Sequence, residues 1–141
     1  MKILCAYDGS DVSKHALTSL ISHVQWFRDR PTIHLLHVHP PVPVGLAVQH
    51  LGAETLDRYY REEGEAVLAD ARRELEGAGL AVTPHLHVGA PAEVIVRLGE
   101  ELACDLICLG THGRDAVANA LLGSVAAKVL HLSKIPVLLV K

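Results

Sequence analysis

Residues 3–10, Ile-Leu-Cys-Ala-Tyr-Asp-Gly-Ser, decide the fold class. Five apolar residues, Ile3–Tyr7, run without interruption and stop at Asp8-Gly9-Ser10. A strand of a parallel sheet is buried on both faces, so it is apolar throughout rather than alternating. Asp, Gly and Ser form turns, and Ser10 or Ser13 is available to cap a following helix. The segment therefore predicts a buried first strand that turns directly into a helix.

The same alternation continues to the end of the chain. Apolar residues recur at helical spacing from Ala16 to Phe27, and strand-like and helix-like patterns then follow each other in turn. The further predicted elements are strands at 33–38, 80–88, 105–109 and 136–140 and helices at 54–76, 91–102 and 124–132. Strands that alternate with helices predict one α/β domain over residues 1–141, with an open parallel sheet and helices on both faces.

Composition narrows the class of protein. The chain has 141 residues, a net charge of -3 and 50% apolar residues, which suits a folded domain without disulfides or metal. The slightly acidic balance argues against nucleic acid and anionic membranes as partners, because both attract basic surfaces. No apolar run approaches the roughly 20 residues of a membrane span. The odd set of Cys5, Cys104 and Cys108 indicates reduced core thiols, and we expect a cytoplasmic protein without a signal peptide.

One segment does not follow the alternation. Residues 40–53 are rich in Pro and Gly and also carry Leu46, Val48 and Leu51. A loop of this length with apolar residues often covers a site or an interface. A packed surface loop is an equally good interpretation, and the sequence leaves the two open.

Glycines follow the predicted strand ends, where open α/β sheets bind ligands. Gly110 and Gly113 allow backbone amides to approach a ligand, and Gly123-Ser124 opens the last helix, whose free N–H groups attract anions. These features predict a phosphate cradle built from backbone. Neither a P-loop nor a G-x-G-x-x-G motif after the first strand occurs in the sequence. A simple turn and an ordinary helix cap are the alternative interpretation.

The segment from Gly110 to Ser124, GTHGRDAVANALLGS, resembles the G-x2-G-x9-G-[ST] motif of the universal stress protein family, in its nucleotide-binding, UspA-like branch. Tyr7–Ser10, Val88–Pro91 and Ile135–Val140 resemble that family's first-strand ending, third-strand exit and closing strand. The resemblance covers essentially the whole chain. It implies a Rossmann-like fold similar to adenine nucleotide α-hydrolases, with strand order 3-2-1-4-5 and Asp8 beside Gly110.

The resemblance also implies a ligand, which is ATP, AMP or ADP, with or without Mg²⁺. Asp8 would lie near the ribose or a bound Mg²⁺, and the main chain of Val38 would face the adenine edge. The implied residues along the rest of the ligand are Ala6, Leu109 and Gly110, and at the phosphates Gly113, Gly123, Ser124 and Val125, flanked by His112 and Arg114. The alternatives are that Asp8 caps the first helix, that Val38 is core, and that His112 and Arg114 are solvated.

Ten histidines raise the question of a metal site. His37 and His39 share one face of the predicted second strand, and His85 and His87 share one face of the third. Zn²⁺ accepts such imidazoles, but no cysteine or carboxylate is fixed beside them. Partly exposed histidines at strand ends are therefore the favoured interpretation.

The last predicted strand indicates self-association. Ile135–Val140 is apolar and carries no charge until Lys141. An apolar edge strand invites pairing and is usually covered. Pairing across a two-fold axis would cover it, so we expect a homodimer. The resemblance implies the same.

The leading hypothesis is a cytoplasmic nucleotide-binding stress-response or signalling module that acts as a homodimer. ATP hydrolysis should be slow or absent, because Asp8 and Arg114 alone make neither a positioned base nor a full cationic clamp. The alternatives are a slow ATPase, an adenylyl-transferring enzyme, or a structural dimer without nucleotide. A phosphoreceiver domain is disfavoured, because Val88-Gly89-Ala90 supplies no Asp after the third strand. The preferred nucleotide, the stress signal and the downstream partner are not specified.

Overall fold

Strands and helices alternate throughout the computed structural model, which describes residues 1–41, 52–113 and 122–141. The strands are β1 (Lys2–Ala6), β2 (Thr32–His39), β3 (Ala81–Val88), β4 (Leu106–Gly110) and β5 (Val137–Val140). The α-helices are α1 (Asp11–Ser22), α2 (Ala53–Gly77), α3 (Pro91–Glu101) and α4 (Ser124–Leu132). All pairings are parallel and the order is β3-β2-β1-β4-β5, which confirms the predicted sheet.

The sheet separates two apolar layers. Ile3 and Cys5 of β1 pack with α1 and α2 on one face, and Leu4 packs with α3 and α4 on the other. Ile3 and Leu4 are fully buried although they point in opposite directions. Burial on both faces explains why the opening segment is apolar at every position.

The three cysteines lie in this core. Cys5, Cys104 and Cys108 are free and buried, as expected of reduced core thiols. Cys5 and Cys108 are register partners on β1 and β4. A hydrogen bond with Cys108, together with burial, raises the pKa of the Cys5 thiol well above its ordinary value. These thiols are packing residues rather than nucleophiles.

The first helix ends earlier than its apolar spacing predicts. α1 stops at Ser22, and a 3₁₀ turn follows at Val24–Trp26. His23 Nδ1 lies 2.7 Å from the Ser19 carbonyl oxygen, which also accepts the His23 N–H. Val24 and Phe27 still pack against the core. The prediction of a helix to Phe27 is therefore wrong, because apolar spacing reports the face that is buried and not the hydrogen-bond pattern that continues a helix.

β3 and β5 are the two edge strands. β3 contains Pro84, which has no N–H to donate and is tolerated at an edge. β5 exposes Leu138, and the preceding helix α4 exposes Leu130 and Leu132. No helix in the described part of the chain is long and apolar enough to cross a membrane.

Candidate functional site

The carboxyl ends of β1 and β4 meet at the centre of the sheet. β1 pairs with β2 on one side and with β4 on the other, so the strand order reverses at this point. In open α/β sheets a crevice forms there, because the two connections leave toward opposite faces. The loops after β1 and β4, at 7–10 and 111–113, therefore border the same space.

Asp8 organises the turn that leads into α1. Its Oδ1 accepts hydrogen bonds from the Ser10 N–H at 3.0 Å and from the Ser10 hydroxyl at 2.6 Å. Ser10 Oγ in turn accepts the Ser13 N–H at 3.2 Å and caps the helix. The cap is thus Ser10, not Ser13 or Asp8, and Asp8 holds the cap from outside the helix.

The loop after β4 lies in direct contact with this turn. A Cβ at Gly113 would stand 2.9 Å from Asp8 Oδ2. A Cβ at Gly123 would stand 3.2 Å from both the Thr111 carbonyl oxygen and the His112 Cα, and the Gly123 N–H donates to that Thr111 oxygen at 2.8 Å. Backbone atoms therefore restrict the space at Gly123, whereas a side chain at Gly113 would meet the carboxylate end of Asp8.

The N-terminus of α4 completes the site. Ser124 begins the helix, and Gly123 before it has no side chain that could cap the first-turn N–H groups. These groups carry the positive end of the helix dipole. Ser124 and Val125 line the same space as the two loops. The arrangement suits an anionic group held by backbone N–H donors.

Together these segments enclose a cavity of about 420 Å³, which we call the cleft. The predicted site residues that line it are Ala6, Asp8, Val38, Leu109, Gly110, His112, Gly113, Gly123, Ser124 and Val125. Arg114 and most of the segment 40–53 lie outside the described residues. Among the described lining residues, Asp8 is the one carboxylate, and there is neither lysine nor arginine.

Several lining residues were not predicted. Pro91 and Ile95 of α3 supply part of an apolar wall, and His37 and His39 border the cleft from β2. The spacing of Pro91 and Ile95, one helical turn apart just after a strand exit, was an available signal. No pattern in the sequence indicates that His37 and His39 line the cleft, because alternation along a strand gives the face of a residue but not which cavity it borders.

A larger groove of about 950 Å³ lies between α2 and the edge strand β3, and we call it the α2 groove. Its charged side chains come from α2 and are Asp57, Arg61, Glu65, Arg72, Arg73 and Glu76. His37 and His39 belong to both the α2 groove and the cleft, so they form the wall between them. The cleft is the better candidate site, because it has the glycine contacts and the helix N-terminus.

The predicted partial exposure of the strand-end histidines is wrong for His37, which is buried, whereas His39, His85 and His87 are partly exposed. His34 Nδ1 lies 3.0 Å from His85 Nε2 across β2 and β3, and His37 Nδ1 bonds the Tyr7 carbonyl oxygen at 2.9 Å. Burial lowers the pKa of His34, and the positive charge of Lys2 lowers it further. Burial is also the main cause of the lowered pKa of His85, and the nearby His34 makes a smaller contribution. Within the described residues, no group of three or more metal-ligating side chains is placed to hold a metal ion.

Comparison with known proteins agrees with this architecture. The model of the universal stress protein family matches residues 1–141. Universal stress protein MJ0531 of Methanocaldococcus jannaschii is 34% identical over 99% of this chain and 81% of its own length. The solved structure of protein MJ0577 from the same organism superposes with a TM-score of 0.86 at 31% identity, over 99% of this chain and 94% of that one.

A second solved structure is a universal stress protein in complex with cAMP. It has a TM-score of 0.70 and 26% identity over 100% of this chain and 96% of its own. The strand order, the position of the cleft and the match along the whole chain lead to the same assignment. The chain belongs to the universal stress protein family.

Proposed function

We propose that the cleft binds an adenine nucleotide, ATP or else AMP or ADP, and that the protein is a cytoplasmic stress-response or signalling module. The observation that carries this proposal is the backbone cradle formed by Gly113, Gly123 and the N-terminus of α4. Fixed N–H donors at a helix start are suited to phosphate oxygens. The complex of a similar protein with cAMP supports the adenine nucleotide as the class of ligand.

The lining residues divide along the length of such a ligand. Val38, at the end of β2, presents its main chain to the adenine edge, and Leu109 with Gly110 borders the ribose. The phosphates lie against Gly113, Gly123, Ser124 and Val125, with His112 beside them. His112 is held by the Thr111 hydroxyl, which lies 3.0 Å from its Nδ1. The absence of lysine and arginine from the described lining fits recognition by backbone dipoles rather than by cationic side chains.

Slow hydrolysis or none is part of the proposal. Phosphoryl transfer needs a group that positions the attacking water and a cation that stabilises charge. Among the described lining residues Asp8 is the one carboxylate, and its Oδ1 already accepts two hydrogen bonds from Ser10. Mg²⁺ is commonly held by one or two carboxylates together with phosphate oxygens, so Asp8 fits that role when a metal–nucleotide complex binds.

The proposed function also includes self-association through β5. β5 is an edge strand, and its Leu138 is more than a third exposed, as are Leu130 and Leu132 on α4. Pairing of two copies along β5 would cover the strand edge. We therefore propose a homodimer through Ile135–Val140.

Nucleotide binding is tested by calorimetry with ATP, ADP, AMP and cAMP. The double variant Gly113→Ala with Gly123→Val should abolish binding, because both new side chains enter the cradle. The matched control is Gly52→Val with Gly77→Ala, since a Cβ at either position meets nothing within 4 Å. Binding of no adenine nucleotide to the unaltered protein would overturn the proposal and leave a structural dimer as the better account. Mass spectrometry of small molecules released from freshly purified protein shows which nucleotide it carries.

The dimer is tested by light scattering at micromolar concentration. Leu138→Lys places a charge on the β5 edge and should give a monomer. Thr83→Lys makes the same change on the exposed edge strand at the other side of the sheet and should leave the mass unchanged. A monomeric mass for the unaltered protein contradicts this part of the proposal.

A further inference from the structure

The two edges of the sheet present different backbone groups to solvent. Along a strand, the N–H and C=O of one residue point to one side and those of the next residue point to the other. Directly after β3, the Gly89 N–H donates to the His39 carbonyl oxygen of β2 at 3.0 Å. The register between β2 and β3 runs without a bulge from end to end. Odd-numbered residues of β3 therefore face β2, and even-numbered residues face the open edge.

The backbone of four residues of β3 faces the open edge. They are Val82, Pro84, Leu86 and Val88, and none of them is buried. Pro84 is the one that has no N–H, and its ring occupies the place of the amide hydrogen. A strand that paired along β3 would lose a hydrogen bond at Pro84 and would meet the proline ring at the same point. The row of donors on this edge is therefore interrupted inside the strand.

Apart from Pro84, β3 has the properties of an edge that associates with other strands. It is eight residues long, its register is continuous, and Ala81–Val88 contains neither lysine, arginine, aspartate nor glutamate. Edge strands are protected from association by shortness, charge, a bulge or proline within the strand, or by a segment that covers them. Of the protections that lie within the strand itself, β3 has proline alone.

The edge at β5 is not interrupted in this way. The Val140 carbonyl oxygen accepts the N–H of Thr111, directly after β4, at 2.8 Å. Even-numbered residues of β5 therefore face β4, and Val137 and Leu139 present their N–H groups at the open edge. β5 itself contains no proline. The two edges thus differ in whether a second copy of the chain finds an unbroken row of donors.

We propose that Pro84 determines the specificity of self-association, because it blocks strand addition at β3 and leaves β5 as the edge where a second copy of this chain pairs. This inference deepens the proposed function and rests on the self-association proposed there. A residue with an N–H at position 84 would restore the row of donors on β3. Each copy would then have two edges that pair with a neighbour.

The first experiment measures mass by light scattering in a background that does not pair through β5. Leu138→Lys supplies this background, and Pro84→Thr is added to it because threonine restores the N–H without adding an apolar side chain. We expect the mass to double as the protein concentration is raised. Ala81→Thr in the same background is the matched control and should stay monomeric, because the N–H of Ala81 faces β2. A Pro84→Thr protein that stays monomeric up to its solubility limit overturns the inference.

The same substitution is then made with β5 intact. Two pairing edges on each copy allow assembly to continue beyond two copies. We expect Pro84→Thr to form assemblies larger than a dimer, with a mass that increases with concentration, while the unaltered protein and Ala81→Thr stop at the dimer. A mass that also stops at the dimer for Pro84→Thr contradicts the inference.

Hydrogen exchange followed by NMR identifies the edge that takes part. The amides of Leu86 and Val88 should exchange rapidly in the unaltered protein and become protected when Pro84→Thr assembles. The amides of His85 and His87, which face β2, should exchange slowly in both. Rapid exchange of Leu86 and Val88 in assembled Pro84→Thr would place the association elsewhere and overturn the inference.

These measurements separate the inference from the proposed function. A monomeric mass for the unaltered protein would contradict the proposed dimer through β5. Pro84→Thr would still be compared with Ala81→Thr for mass and for the exchange of Leu86 and Val88, and that comparison decides the role of Pro84. The two failures are therefore distinguishable.

Discussion

The cleft and the α2 groove differ in what shapes them. The cleft, about 420 Å³, is formed where glycines bring backbone segments together at the ends of β1 and β4. The α2 groove is about 950 Å³ and is lined by long charged side chains from one helix. Backbone donors are fixed by the fold, whereas long side chains lose rotamer entropy when a ligand orders them. The comparison shows that preorganisation, and not volume, marks the candidate site.

The sharpest test of this difference is Gly123→Val. The new Cβ would lie 3.2 Å from backbone atoms of Thr111 and His112, which cannot yield as a flexible side chain does. We expect nucleotide affinity to fall about 30-fold, or about 2 kcal/mol, from the loss of phosphate contacts. Gly52→Val, at the N-cap of α2, is the control, and calorimetry is the measurement. Equal affinities for the two variants would mean that the cradle does not hold the ligand.

Gly64→Val tests the other side of the comparison. A Cβ at Gly64 would lie 2.6 Å from Leu86 Cδ2, so α2 packs closely on β3 here. We expect the free energy of unfolding to fall by about 1.5 kcal/mol, because overpacking typically costs about 1–3 kcal/mol. Nucleotide affinity should stay within about twofold, because Gly64 does not line the cleft. Urea titration and calorimetry measure the two effects. A large loss of affinity without loss of stability would break the distinction between the regions.

The histidines on β2 and β3 should make the protein less stable at low pH. His34 and His85 have lowered pKa values in the folded state, mainly through burial. The unfolded chain therefore binds protons more readily, so stability is present above about pH 6.5 and is lost as the pH falls through the lowered values. In the described residues no polar atom lies within hydrogen-bond distance of His34 Nε2. In His34→Leu, Tm should therefore fall by a few degrees less than in the unaltered protein when the pH is lowered.

Thermal unfolding from about pH 7.5 to about pH 5 measures this effect, because that range covers the charge change of histidine. His15→Leu, at an exposed position of α1, is the matched control and should keep the acid loss. An unchanged pH profile for His34→Leu would show that the buried pair does not govern it.

The smallest effect is expected from Arg72→Ala. Arg72 Nε lies 2.7 Å from Glu76 Oε1 in the α2 groove, and both side chains are about half exposed. Such a pair one helical turn apart contributes about 0.3–0.5 kcal/mol. The free energy of unfolding, measured in urea, should therefore fall by no more than about this amount. The affinity for nucleotide should not change. A marked loss of nucleotide affinity would show that the α2 groove, despite its flexible lining, takes part in binding.

Much of the site could be predicted, because its signals are local. The spacing of Gly110, Gly113 and Gly123 around a strand end and a helix start is visible in the sequence, and the structure brings these residues together. The pairing of histidines could not be predicted. Alternation along a strand gives the face of His37 and His85 but not the register between strands. That register places His34 opposite Thr83, from where its ring reaches His85 two residues further along β3. Likewise His39 meets Glu63 only because α2 lies over the end of β2.

The sequence by itself determined the alternation of buried strands and amphipathic helices, because apolar periodicity records which faces meet the core. It also determined the chemistry of the cradle, since glycine is needed where backbone must approach closely. Only the tertiary structure decided that Gly113 touches Asp8, that Ser10 and not Asp8 caps α1, and that His39 separates two cavities. The contact of Gly113 with Asp8 and the position of His39 involve residues far apart in the chain, so they depend on how strands are ordered and helices are laid across them. The choice of Ser10 as the cap depends instead on the local backbone geometry of the turn, which residue type alone does not fix.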